Sequence, residues 1–187
     1  QEAREEILAI VEEYYQAYHK KDNRYHKGDR IPYASRVYDA QEMTNLVDSS
    51  LEFWLTSGRY TEQFERELAQ YIGVRYCSLV NSGSSANLLA FMALTSPLLG
   101  ERRVNRGDEI ITVAAGFPTT VTPYLQYGAV PVFLDLTIPQ YNIDVDRLEQ
   151  ALSEKTKAVM IAHTLGNPFD LAAVREFCDR HGLWLIE

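Results

Sequence analysis

Cysteine is scarce in this sequence: two among 187 residues, Cys77 and Cys178, far apart in the chain. They cannot build the disulfide framework of a small secreted domain, and no Cys-x-x-Cys pair suggests zinc. They are expected to be reduced thiols in a cytoplasmic protein. Basic residues are in the minority, 18 Lys and Arg against 26 Asp and Glu, for a formal charge of −8. A broad basic face for nucleic acid is therefore excluded. Long apolar runs are missing too. Residues 88–94 are among the longest, far below the ~18 that a membrane span needs. No signal-peptide pattern opens the chain. There is no internal repeat and no low-complexity stretch. The sequence holds no His-Glu-x-x-His, no Gly-x-Ser-x-Gly and no cysteine–histidine ligand set. Its acidic residues spread along helical stretches as solvated faces. No nucleophile stands out.

What is present is an ordinary globular composition, 46% hydrophobic and 24% charged, able to bury a core. The length fits one domain or a piece of a larger one. Residues 183–187 read as an apolar strand that stops without a turn, so the chain is expected to be a fragment.

Residues 1–22 read as one helix, with Ile7, Val11, Tyr14, Tyr15 and Tyr18 on one face. Glu2, Glu5 and Glu6 near its start and Lys20 and Lys21 near its end suit the helix dipole. Residues 22–35, with Asp22, Asn23, Lys27, Gly28 and Pro32, read as a linker or wrapping arm. Helical patterns follow at 39–51 and 61–71, the second stopped by Gly73. The rhythm then alternates. Strands are expected at 76–80, 109–115, 130–134, 157–162 and 183–186. Helices are expected at 86–94, 120–127, 145–152 and 171–181. Residues 86–94 are apolar all round, which predicts cover on more than one side. Asp144 and Asp170 are candidate N-caps, and Gly128 and Gly182 candidate stops. The pattern predicts an α/β fold: a mostly parallel sheet with helices on both faces.

In such sheets ligands bind beyond the carboxyl ends of the strands. After the first expected strand comes Asn81-Ser82-Gly83-Ser84-Ser85-Ala86-Asn87. Gly83 allows close backbone approach, and Ser84 and Ser85 open a helix whose free N–H groups favour an anion. This reads as a phosphate cup or as a plain serine cap after a tight turn; no lysine follows to make a P-loop. After the second comes Gly116-Phe117-Pro118-Thr119-Thr120, where Phe117 is either core or a stacking platform. After the fourth comes His163-Thr164-Leu165-Gly166-Asn167-Pro168, where His163 is either chemical or structural. His181 reads as a helix end, and His19 and His26 as solvated.

In order and spacing these segments resemble the DegT/DnrJ/StrS sugar aminotransferase family of fold-type-I pyridoxal-phosphate enzymes, from about Ile31 to Glu187. The resemblance rests on Trp54-Leu55-Thr56-Ser57-Gly58-Arg59-Tyr60, Phe64-Glu65, the 81–88 stretch, Gly116 to Thr120, Pro131 to Asp135 and His163 to Asp170. Within the family, the chain is most similar to the CDP-4-dehydro-6-deoxyglucose 3-dehydrase branch, through its long helical arm, its Ser-Gly-Ser-Ser-Ala-Asn cup and its wording around Phe117 and His163. The resemblance implies that residues 1–35 are an arm and 36–187 the first part of the transferase large domain. It assigns Gly83, Ser84 and Ser85 to the cofactor phosphate, Phe117 to the pyridine ring, His163 to the pocket lining, and Gly58 and Arg59 to the sugar nucleotide.

It further implies pyridoxamine or pyridoxal phosphate as cofactor, a CDP-sugar substrate and a homodimer, with the Phe64 region and the arm as candidate interface. It implies a [2Fe–2S] cluster held by residues outside this chain and an iron–sulfur flavin reductase as partner. The catalytic histidine that replaces the family's lysine is expected beyond Glu187, as is the aspartate at the pyridine nitrogen. The implied reaction joins the cofactor to the C4 ketone, removes the C3 hydroxyl and returns electrons from the reductase. A lysine at the catalytic position would instead make the protein an aminotransferase. A non-catalytic phosphate-binding α/β module is the reading from another class. It predicts that these residues fold alone as a soluble monomer, whereas an incomplete large domain should expose apolar surface and aggregate.

Overall fold

The structure, a computed structural model, describes residues 1–21, 24–31 and 36–187. Asp22, Asn23 and Pro32 of the expected linker lie outside the described residues. The chain divides into two compact units, Gln1–Leu79 and Val80–Glu187.

The first unit is helical: α1 (Glu2–Tyr18), α2 (Ala40–Leu51) and α3 (Arg59–Ile72). Asp39 starts α2 as a capping box, accepting from Gln41 N at 2.7 Å while Asp39 N donates to Glu42 at 2.7 Å. Gly73 ends α3 at φ +79°, a left-handed conformation that favours glycine. The expected apolar face of α1 is only narrowly covered. Tyr15 alone on this helix is buried; Ile7, Tyr14 and Tyr18 are exposed. The reason is that α1 packs chiefly on one partner, α2. Lys20 and Lys21 fall beyond the helix end.

The second unit is a four-stranded, wholly parallel sheet in the order β2-β1-β3-β4. Its strands are β1 (Glu109–Val113), β2 (Val130–Leu134), β3 (Thr156–Met160) and β4 (Trp184–Ile186). Its helices are α4 (Gly83–Ala93), α5 (Thr122–Tyr127), the single turn α6 (Leu148–Ala151) and α7 (Leu171–His181). Strand side chains alternate between two cores, as the period of two requires. Ile111, Val159 and Ile161 face one cluster with Leu148, Val174, Phe177 and Cys178. Ile110, Ala158 and Met160 face the other with Phe91, Tyr124 and Ala129. Helices thus cover both faces.

Five expectations are corrected. Residues 76–80 form no strand, so the sheet has four strands where the sequence predicts five. An apolar run becomes a strand only where a neighbour takes up its backbone groups; here Leu79 N donates to the Glu65 carboxylate at 2.7 Å. The helix expected from Ala86 begins at Gly83, and it is covered on one side, burying Phe91 while Leu88, Leu89 and Met92 are exposed. Asp144 makes no side-chain cap, because its carboxylate pairs with Arg147 at 2.9 Å. The expected helix at 145–152 is a 3-10 turn followed by α6. Asp170 does cap α7, accepting from Ala173 N at 3.0 Å, and Gly182 ends it at φ +65°.

Candidate functional site

Parallel pairing puts the carboxyl ends of β1, β3 and β4 along one edge of the sheet. The chain leaves β1 towards Gly116 and Phe117, β3 towards His163, and β4 into Glu187. The candidates Phe117 and His163 therefore share, with Glu187, the edge where open α/β sheets bind ligands.

The serine segment joins them through one contact. Asn87, in the second turn of α4, donates its side-chain amide to the Thr119 hydroxyl at 3.2 Å. This ties the start of α4 to the short turn Pro118–Thr120 that follows Phe117. The cap itself is Ser82, which the sequence reading passed over for Ser84 and Ser85. Its hydroxyl oxygen accepts from Ser85 N at 3.2 Å and its proton goes to Ser85 Oγ at 3.2 Å. The signal was available in the sequence: a serine just ahead of the first helical residue is the usual cap. Gly83 and Ser84 then head the first turn, where amide N–H groups point outward and the helix dipole is positive. A Cβ on Gly83 would meet no atom within 4 Å, so the space before this backbone is open. The donor set suits an oxyanion.

Phe117 is 69% exposed, which rejects the core reading of its ring. It is an unburied aromatic plane fixed between Gly116 and Pro118 at the end of β1.

His163 is half-buried. Its ring stacks on Phe169 at 4.2 Å between centroids and 5° between planes. Its Nε2 lies 3.2 Å from Glu187 Oε2, and its Nδ1 is buried without a hydrogen-bond partner among the described residues. The loop beyond it is tied at two points: Asn167 Nδ2 donates to Gln140 O at 2.6 Å and Asn142 Nδ2 to Pro168 O at 2.9 Å. Within that loop Leu165 sits at φ +57° with its side chain in solvent. A non-glycine residue there is strained, by roughly 1–2 kcal/mol.

Gly58 and Arg59 belong to the other unit. Gly58 starts α3, and a Cβ on it would stand 3.2 Å from Trp54 Cδ1. Trp54 Nε1 donates to Ser57 O at 2.8 Å, closing the turn. The Arg59 guanidinium is paired with both Asp48 and Glu52 of the α2 end and lies 4.2 Å from the centre of the Tyr60 ring. Arg4 of α1 joins the same two carboxylates, at 2.5 Å from Asp48 and 3.3 Å from Glu52, and Tyr60 donates to Asp48 at 2.8 Å. Bonds from Arg4, Tyr60 and Arg59 hold the Asp48 carboxyl well below the usual carboxylate range, and Arg59 lowers that of Glu52. Sequence reasoning missed this cluster, because its members come from three separate helical segments.

Residues 37–187 match the DegT/DnrJ/EryC1/StrS aminotransferase family. The chain belongs to that family. It is 55% identical over 157 residues to the lipopolysaccharide biosynthesis protein RfbH of Salmonella typhimurium, covering 84% of this chain and 36% of that protein. It is 44% identical over all 187 residues to the dTDP-4-dehydro-2,6-dideoxy-D-glucose 3-dehydratase of Saccharopolyspora spinosa, covering 40% of that protein. Among solved structures, E coli GDP-4-keto-6-deoxy-D-mannose-3-dehydratase with bound hydrated PLP superposes with a TM-score of 0.73 at 34% identity, covering 83% of this chain and 40% of that one. The chain thus spans roughly two fifths of the length of these relatives. Its α/β sheet is the matching part of the fold-type-I pyridoxal-phosphate enzymes.

The family implies pyridoxal or pyridoxamine phosphate, and the residues on the carboxyl edge fit it. The open start of α4 offers amides and hydroxyls for a phosphate, and Phe117 offers a flat, unburied ring. No group of three or more His, Cys, Asp or Glu that could hold a metal occurs among the described residues.

Proposed function

We propose that this chain builds the phosphate cup and ring platform of a pyridoxamine- or pyridoxal-phosphate-dependent nucleotide-sugar 3-dehydratase. Its substrate is CDP-4-dehydro-6-deoxyglucose and its product leads to the 3,6-dideoxyhexoses of lipopolysaccharide O-antigen. The observation that carries this reading is the Asn87–Thr119 hydrogen bond, which links an anion-binding helix start to an exposed aromatic on the ligand edge of the sheet. The similarity to a nucleotide-sugar 3-dehydratase supports the dehydratase branch, and that to the lipopolysaccharide biosynthesis protein RfbH of Salmonella typhimurium supports the lipopolysaccharide role.

Each residue has a physical task. The amides of Gly83 and Ser84, with the Ser84 and Ser85 hydroxyls, bind the phosphate in the positive field of α4. Phe117 stacks on the pyridine ring and excludes water from one face. His163 lines the pocket. Gly58 and Arg59 form the turn that serves the sugar nucleotide, with Arg59 held by Asp48 and Glu52. The bound cofactor supplies an electron sink for the loss of the C3 hydroxyl. The proton-transfer residue lies beyond Glu187, as do the ligands of a [2Fe–2S] cluster fed by an iron–sulfur flavin reductase. The protein works in the cytoplasm as a homodimer, and these 187 residues alone are inactive.

The test uses the full-length protein with pyridoxamine phosphate, the CDP-4-keto-6-deoxyhexose and the reductase. Loss of one oxygen from C3, read by mass spectrometry, supports the proposal. Gain of an amino group at C4 from an amino-acid donor would make the protein an aminotransferase. Phosphate binding with neither product would leave only a binding module.

A further inference from the structure

His163 has more structure around it than a pocket-lining residue needs. Phe169, against which its ring lies flat, is buried in the core cluster with Ile161 and Leu134. The loop between the two is pinned by Asn167 to Gln140 O and by Asn142 to Pro168 O. The imidazole plane is therefore fixed from below and along its loop. Its Nε2 reaches the first residue beyond β4, Glu187, at 3.2 Å from Oε2. A carboxylate only accepts, so Nε2 carries the proton. Nδ1 is buried with no partner among the described residues. The donor that this geometry provides is therefore Nε2–H.

The backbone shows what this bond does. β3 and β4 are paired through Val159–Leu185 and Met160–Ile186, and the ladder ends where Ile161 N donates to Ile186 O at 3.1 Å. Beyond that point the His163–Glu187 contact continues the link between the two strands, now through side chains. It does so on the edge that carries Phe117.

We propose that His163 is a positioning residue: through Nε2–H it donates to Glu187 and holds the carboxyl end of β4 in place beside the cofactor site. The pair stands on its own geometry, while the identity of the site beside it rests on the proposed function. Donor and stack can be separated. His163→Gln keeps an N–H donor near the Nε2 position. His163→Phe keeps the flat contact with Phe169 and removes the donor.

The experiment uses full-length protein with 15N-labelled histidine. One histidine signal, absent in His163→Gln, should show a protonated Nε2. A bare Nε2 would overturn the proposal. Pyridoxamine phosphate binding is then measured by equilibrium dialysis. His163→Phe should weaken it about tenfold, the scale of one hydrogen bond to a charged group, and His163→Gln should restore most of the loss. Unchanged binding in His163→Phe, or an equal loss in both variants, would refute the positioning role. If the unsubstituted protein binds no pyridoxamine phosphate, the proposed function fails, and the histidine spectrum alone decides the pair.

Discussion

The side-chain amide of Asn87 meets the Thr119 hydroxyl at 3.2 Å and couples two segments that the sequence leaves unconnected. One is the serine-capped start of α4; the other is the turn behind Phe117. Removing the bond should loosen both. Asn87→Ala is expected to cost about 1 kcal/mol of stability and to weaken pyridoxamine phosphate binding in the full-length protein. A double-mutant cycle with Thr119→Val checks this. The two substitutions should be non-additive, and additive losses would show that the pair carries no coupling.

Phe117 is exposed, so its truncation should spare the fold and harm the site. Phe117→Ala is expected to leave the melting temperature nearly unchanged. Cofactor retention should weaken by on the order of 1–3 kcal/mol through lost stacking and buried area. Phe117→Tyr should keep most of it. Unchanged dialysis constants for the alanine variant would remove Phe117 from the site.

The carboxylates of Asp48 and Glu52 tie together Arg4, Arg59 and Tyr60. Asp48→Asn should release Arg4 and speed proteolysis within α1, with little effect on the sheet. The pH dependence follows from the depressed carboxyl values. Their contribution is present above the ordinary carboxylate range and is lost as pH falls from about 4 through the folded-state values. Circular dichroism of Asp48→Asn should show a smaller loss of helix on acidification than the unsubstituted protein.

At the alkaline end the second unit should weaken. Burial pushes the Tyr124 phenol up to about 12 from 10.0 and the Cys178 thiol up to about 11 from 9.0. Both groups stay protonated longer in the folded state than in the unfolded one. Stability should therefore fall as pH rises from about 9 to 11 through Cys178 and from about 10 to 12 through Tyr124, by on the order of 2 kcal/mol each. Tyr124→Phe and Cys178→Ala should each flatten that fall in chemical denaturation series. A parallel decline in the variants would reject the assignment.

The sequence alone determined the local grammar of this protein. The alternation of apolar strands with helices predicted the parallel sheet, Asp170 and Gly182 bounded α7, Gly73 closed α3, and the order and spacing of the motif segments pointed to the family. The caps and stops depend on neighbours within a few residues, where dihedral preference and capping act, and the alternation and motif order are written along the chain itself. The tertiary structure decided what depended on distant partners. It denied 76–80 a strand by giving Leu79 N to Glu65. It left most of the apolar face of α1 uncovered. It joined Arg4, Asp48 and Arg59 from three segments, linked Asn87 to Thr119, and set His163 between Phe169 and Glu187. A hydrogen bond or ion pair across the fold leaves no periodic trace in the chain, because its geometry exists only once the backbone has brought the partners within reach.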